Sequence, residues 1–127
     1  MKENEILVTI NKPITEVFAF TTNPKNTPLW LPQIVEEVSD SYPPKIKTIY
    51  KNKSKDGKWS YYEVVEIEKN KIFTLMSGDK NYFVKYSYTK LGSKKTRLSY
   101  FEWVEKGELE NPFTQTDLDR LKTIMER

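Results

Sequence analysis

With no His and no Cys among its 127 residues, any chemistry in this sequence must use Asp, Glu, Lys, Tyr, a hydroxyl or bound water, and the carboxylates and phenols are the best placed by spacing. Two glutamates stand at two-residue spacing from aromatic and aliphatic neighbours. In Val84-x-Tyr86-x-Tyr88 and Leu98-x-Tyr100-x-Glu102 that period puts each set on one face of a strand. Antiparallel pairing then sets Tyr88 against Leu98, Tyr86 against Tyr100 and Val84 against Glu102. A carboxyl group in such company must be hydrogen-bonded, paired or neutralised, as in a general acid or a polar ligand anchor. The alternative is a glutamate near a strand end that reaches water or a lysine. Glu63 poses the same choice. Trp59, Tyr61, Glu63, Val65 and Ile67 form the more apolar face of their segment, and facing inward they would bring Glu63 to join Glu102. Such a pair could move protons or hold a cation. Tyr61, Tyr86, Tyr88 and Tyr100 carry hydroxyls on apolar bodies, suited to orienting a carbonyl or a phenol, or equally to serving as core tyrosines with wet tips. Glu63 and Glu102 are candidates only; the residues assign no catalytic role.

The absences exclude whole classes of chemistry. Without Cys there is no disulfide framework, thiolate nucleophile or cysteine-held metal. Without His there is no Ser-His-Asp or Cys-His catalysis and no imidazole ligand. No phosphate loop, dinucleotide fingerprint or metal-ligand spacing occurs, so neither a cofactor nor a metal is expected. The net charge is +3, but residues 45–97 hold 14 Lys/Arg against 5 Asp/Glu, and both flanks are acidic. A basic centre can signal nucleic acid. Lysines alternating along strands instead mark a solvent face and guard edges, so no nucleic-acid partner is expected. Lys51, Lys53, Lys55 and Lys58 around Asp56-Gly57 read as a solvated hairpin tip. No window approaches the ~18 apolar residues of a membrane span. The start lacks the apolar run and small-residue site of a signal peptide, which points to the cytoplasm.

The elements that must position these residues follow from periodicity and breakers. One domain, 1–127, is expected from length. Residues 5–11 read as a strand with Ile6, Val8 and Ile10 on one face. Asn11 or Lys12 then caps a helix with Pro13 in its first turn and Ile14, Val17, Phe18 and Thr21 at helical spacing. That helix stops at Asn23-Pro24. A second short helix or turn covers 24–30, ending at Leu31-Pro32. Six strands follow, over 34–41, 45–53, 59–69, 72–77, 82–90 and 96–105, joined by short connectors and therefore antiparallel. A last helix over 113–126 carries Leu118, Leu121 and Met125 on one face. The order β-α-α-β6-α makes an α+β fold in which the terminal helix must cover the sheet. The expected core is Ile10, Val17, Phe18, Trp30, Val65, Ile67, Tyr86, Leu98, Leu118, Leu121 and Met125.

Four stretches carry a family likeness: Ile10-Asn11-Lys12-Pro13 through Val17-Phe18-Ala19-Phe20, Asn23-Pro24 to Trp30 with Leu31-Pro32, Thr96-Arg97-Leu98-Ser99-Tyr100, and Asp117-Leu118-Asp119-Arg120-Leu121-Lys122. In that order the sequence resembles the START-like helix-grip superfamily (SRPBCC), in its polyketide cyclase/dehydrase and lipid-transport branch. The resemblance implies a curved antiparallel sheet of about seven strands wrapped around the C-terminal helix. Between them it implies a cavity for a small hydrophobic molecule, lipid- or polyketide-like, with Trp30 at its mouth as gate or plug. The ligand-binding set expected on this basis is Trp30, Tyr61, Glu63, Tyr86, Tyr88, Leu98, Tyr100, Glu102, Leu118, Leu121 and Met125. The family pattern has a longer terminal helix than the approximately four turns here, so an open groove is expected. Binding alone is the leading expectation. A cyclase/dehydratase-type enzyme using Glu and Tyr, or a chaperone-activator-like interaction module, are the alternatives. The register also sets Phe83 against Trp103 and Phe101 against Lys85 on the outer face, a ring patch that suggests a homodimer or a cross-strand aromatic cluster; with the faces inverted, these rings would instead line the cavity and Tyr86 would lie outside.

Overall fold

The computed structural model describes all residues, 1–127. Seven strands form one antiparallel sheet: β1 (Glu3–Ile10), β2 (Ile34–Ser39), β3 (Ile49–Ser54), β4 (Trp59–Glu68), β5 (Ile72–Ser77), β6 (Tyr82–Gly92) and β7 (Lys95–Val104). Their order is β1-β7-β6-β5-β4-β3-β2. The first two strands in sequence therefore lie at opposite edges, and the chain between them crosses the sheet. That crossing holds α1 (Ile14–Thr22), a 3-10 turn (Pro24–Asn26) and α2 (Thr27–Trp30); α3 (Gln115–Met125) closes the chain. The expected α+β helix-grip fold is the one observed. No helix is long and apolar enough to cross a membrane.

Local chemistry sets the ends of the helices. Pro13 is itself the N-cap of α1, with no side chain capping it, so neither Asn11 nor Lys12 takes the expected part. The Pro13 carbonyl accepts from the Glu16 and Val17 amides at 3.0 and 3.1 Å, which starts the helix without a side-chain acceptor. The helix ends because Asn23 precedes a proline and is extended, at φ −81° and ψ 115°. At α3 the Asp117 carboxylate accepts from the Thr114 amide at 3.0 Å, a capping interaction at the first turn.

The β6–β7 register is the expected one, with Tyr88 opposite Leu98, Tyr86 opposite Tyr100 and Val84 opposite Glu102. Those side chains are buried on the inner face with Ile6, Val8 and Ile10 of β1. The expectation for β4 is corrected. A bulge between Val64 and Glu66 shifts the alternation, as an extra residue in one strand must. Tyr62 and Val64 point inward before it and Ile67 after it, packing on the core, while Val65 is 37% exposed. Tyr61 and Glu63 consequently lie on the outer face. A second correction concerns β3, which starts at Ile49 because residues 45–48 form a turn. In that turn the Lys45 amide donates to Thr48 Oγ1 at 2.9 Å and the Thr48 amide to the Lys45 carbonyl at 3.0 Å.

Cover of the inner face is shared rather than left to α3. Leu118 and Leu121 are fully buried, and Met125 packs on the core from the side. The helix also lies along the free edge of β1. Gln115 Nε2 donates to the Leu7 carbonyl at 3.0 Å and Lys122 Nζ to the Thr9 carbonyl at 2.8 Å. The other half of the sheet is faced by α1 and α2, and the groove opens there.

Candidate functional site

A cavity of about 180 Å³ lies between the inner face of β2–β7 and the α1–α2 crossing, with Phe113 at one side. Its wall holds seven aromatic rings: Tyr50, Tyr62, Phe73, Tyr82, Tyr86, Tyr100 and Phe113. They pack edge to face or tilted from ring to ring: Tyr50 on Phe73 at 5.6 Å, Phe73 on Tyr86 at 5.6 Å and Tyr86 on Tyr100 at 5.2 Å, with Phe113 stacked on Tyr100 at 4.2 Å. Leu31, Ile34, Leu75 and Val84 complete the apolar wall.

Polar groups gather at one end. Glu37 projects from β2 opposite Asn52 of β3. Its carboxylate accepts from Thr27 Oγ1 at 2.5 Å and Asn52 Nδ2 at 3.3 Å. The side chain keeps some surface, which opens on the groove, while its carboxyl end is densely surrounded. Burial pushes its pKa up, and the Thr27 and Asn52 donors hold it down less strongly. Burial likewise pushes the hydroxyls of Tyr50, Tyr62, Tyr82, Tyr86 and Tyr100 upward. All five stay neutral donors. Tyr50 spends its hydrogen on the Thr22 carbonyl at 2.6 Å, whereas the Tyr62 and Tyr86 hydroxyls make no hydrogen bond within the protein.

Of the residues expected to bind a ligand, Tyr86 and Tyr100 line this groove. The others lie elsewhere. Tyr88 is a core residue, its hydroxyl 2.7 Å from Thr21 Oγ1 and its ring against Phe18 at 5.0 Å. Leu98, Leu118 and Leu121 are fully buried behind the wall, and Met125 is beside them. Trp30 is 1% exposed, and its carbonyl accepts from Arg120 at 3.1 Å. It plugs the helix–sheet junction rather than gating the groove. Tyr61 is 52% exposed on the outer face, and Glu63 lies there too, opposite Ile49 and Met76. The expected Glu63–Glu102 pair does not form.

Glu102 is buried, but its oxygens are already taken. Oε1 accepts from the Tyr82 hydroxyl at 2.7 Å; Oε2 accepts from Asn4 Nδ2 at 2.9 Å and the Phe113 amide at 2.7 Å. It ties β1, β6 and the approach to α3 together behind the groove wall. No three Asp or Glu side chains cluster to hold a metal.

Glu37, Asn52, Tyr50, Tyr62 and Tyr82 line the groove but fall outside the set expected from sequence. A bulge between Ile34 and Glu36 sets Ile34 and Glu37 three residues apart on one face, which strict alternation does not anticipate. The available signal was the Glu36-Glu37 pair, since one of two adjacent strand residues must face inward.

No family model matches the chain, and no curated protein matches it. Solved structures do. A START superfamily protein from Mycobacterium smegmatis superposes with a TM-score of 0.73 at 14% identity, covering 99% of this chain and 95% of that one. The di-domain ARO/CYC protein BexL of the BE-7585A biosynthetic pathway gives 0.67 at 11% identity, over 82% of this chain and 36% of that chain. The Aha1 dimer from Colwellia psychrerythraea gives 0.61 at 11%, over 98% and 90%. At these identities the likeness establishes the fold, and the fold hosts several activities.

Proposed function

We propose that this START-like helix-grip chain binds a small, largely apolar molecule in the groove between α2 and the inner sheet face. The observation that carries the reading is the wall itself. Seven rings surround a cavity with a single acidic side chain and two unpartnered phenol hydroxyls. Ligand sites have this make-up, apolar walls with a few convergent polar groups. Native mass spectrometry of the protein as purified tests retention of such a molecule. Ligand-observed NMR with neutral single-ring compounds tests the site directly, because Leu75→Trp would fill the groove from β5. Binding lost in a folded Leu75→Trp protein supports the reading; binding that persists there overturns it.

A second reading, acid–base catalysis of the cyclase/dehydratase kind, rests on Glu37 being the one acidic side chain on the groove wall, where burial pushes its pKa up. In that reading Glu37, and neither Glu63 nor Glu102, moves the proton. Replacement by Gln would then lower turnover about 100-fold or more. A homodimer through the convex face is also proposed. Phe83 stacks on Trp103 at 4.9 Å with planes 7° apart, and Phe101 on Trp103 at 5.3 Å, giving one continuous ring surface.

A further inference from the structure

We infer that the molecule held in this groove is a small amine cation with an apolar body about the size of one aromatic ring. The inference rests on the groove being the binding site and adds the chemical class of its occupant. The first support is charge. The chain carries 21 Lys and Arg, yet none lines the cavity, and the sole charged lining residue is Glu37. Its hydrogen-bond donors, the Thr27 hydroxyl and the Asn52 amide, are both neutral. None of the protein's ion pairs includes it. A half-enclosed carboxylate without a cation is an incomplete arrangement, since buried charges are ordinarily paired.

The second support is the surroundings of that carboxylate. Tyr50, Tyr62 and Tyr86 line the same cavity as Glu37, so a cation held at that carboxylate would have phenol rings for neighbours. Neutral phenol faces attract ammonium groups, and more strongly where water is excluded. A carboxylate or phosphate ligand would meet Glu37 with no lysine or arginine to offset it. Size is the third support. A cavity of roughly 150 Å³ holds benzene, and this one, at about 180 Å³, leaves room for a ring and a short aminoalkyl arm.

Isothermal titration with three near-isosteric probes tests the inference: 2-phenylethylamine, 2-phenylethanol and phenylacetate, at a pH where Glu37 is ionised and the amine charged. The amine should bind at least about 10-fold more tightly than the alcohol, and phenylacetate most weakly. In Glu37→Gln the amine should fall to the level of the alcohol, whose own affinity changes less than about 3-fold. If that variant does not fold, a pH series on the unaltered protein serves instead. The amine should weaken as Glu37 takes up a proton while the alcohol stays level. The facing groups, Thr27 of α2, Asn52 and Tyr50 of β3, Tyr62 of β4 and Tyr86 of β6, all remain neutral through that range. An alcohol that binds as tightly as the amine overturns the amine inference and leaves the groove reading standing. An amine indifferent to both Glu37→Gln and pH does the same. Failure of all three probes to bind overturns both.

Discussion

The Tyr82 hydroxyl donates to Glu102 Oε1 at 2.7 Å, so one side chain presents its ring to the groove and its polar tip to the carboxyl group behind the wall. The Tyr100 hydroxyl neighbours the same tip. The Tyr82 and Tyr100 rings are thereby positioned in the groove wall by a hydrogen-bond network that lies behind it.

Glu102 should accordingly behave as a structural residue. Glu102→Ala leaves the Tyr82 hydroxyl, the Asn4 amide and the Phe113 amide without acceptors, at about 1–3 kcal/mol for each buried group left unsatisfied. A total loss of about 3 kcal/mol or more is expected by urea denaturation. Glu102→Gln keeps one acceptor oxygen, and the Tyr82 hydroxyl can turn to accept, so it should lose less than half as much. A Glu102→Gln protein with full stability but no ligand binding would place this residue in the site after all.

Leu121 is fully buried where α3 meets the sheet. Leu121→Ala should cost about 2–5 kcal/mol, the range for a large core side chain that leaves a cavity. A loss below about 0.5 kcal/mol, as for an ordinary surface change, would show that α3 is not docked there.

Glu37 should make stability fall as pH rises. Its pKa is raised by burial above the ordinary 4.5, so the folded chain binds this proton more tightly than the unfolded chain. Stability then declines from pH 4.5 up to the raised value, and is level above it. Glu37→Gln should remove that portion of the pH dependence in urea midpoints measured across the acid range. A bound amine should oppose it too, by stabilising the ionised form. Midpoints that rise with pH in the parent protein and change equally in the variant would contradict this assignment.

For the convex face, sedimentation at micromolar concentration should show a dimer that Trp103→Ser converts to a folded monomer. A monomer unchanged by Trp103→Ser would restrict the Phe83–Trp103–Phe101 stack to sheet stabilisation, worth about 0.2–1 kcal/mol per cross-strand pair.

What the sequence disclosed depended on whether alternation ran unbroken. Across β6 and β7 it does, over the paired run that matters, and Tyr86–Tyr100 and Val84–Glu102 pair as spacing predicts. In β4 the same reasoning failed at Val64/Glu66, because a bulge adds a residue without any marker such as glycine. That one residue moved Tyr61 and Glu63 from the inner to the outer face. The bulge in β2 hid Glu37 in the same way. The position of α3 was legible as a docked helix, since Leu118, Leu121 and Met125 share a face. Its alignment with β1 was not, because long side chains reaching backbone carbonyls leave no periodic trace.

That alignment bears on self-association. Any sheet that stops has two rows of backbone groups able to template a further strand. Here Gln115 and Lys122 occupy the Leu7 and Thr9 carbonyls, and Glu126 Oε2 accepts from the Asn11 amide at 2.7 Å just beyond. The last helix is thus an edge guard as well as a core element. Proteolytic or genetic loss of α3 would uncover apolar surface and, in the same event, a strand ready to pair with another molecule. Damaged chains of this kind should accumulate as β-rich aggregates rather than as expanded monomers.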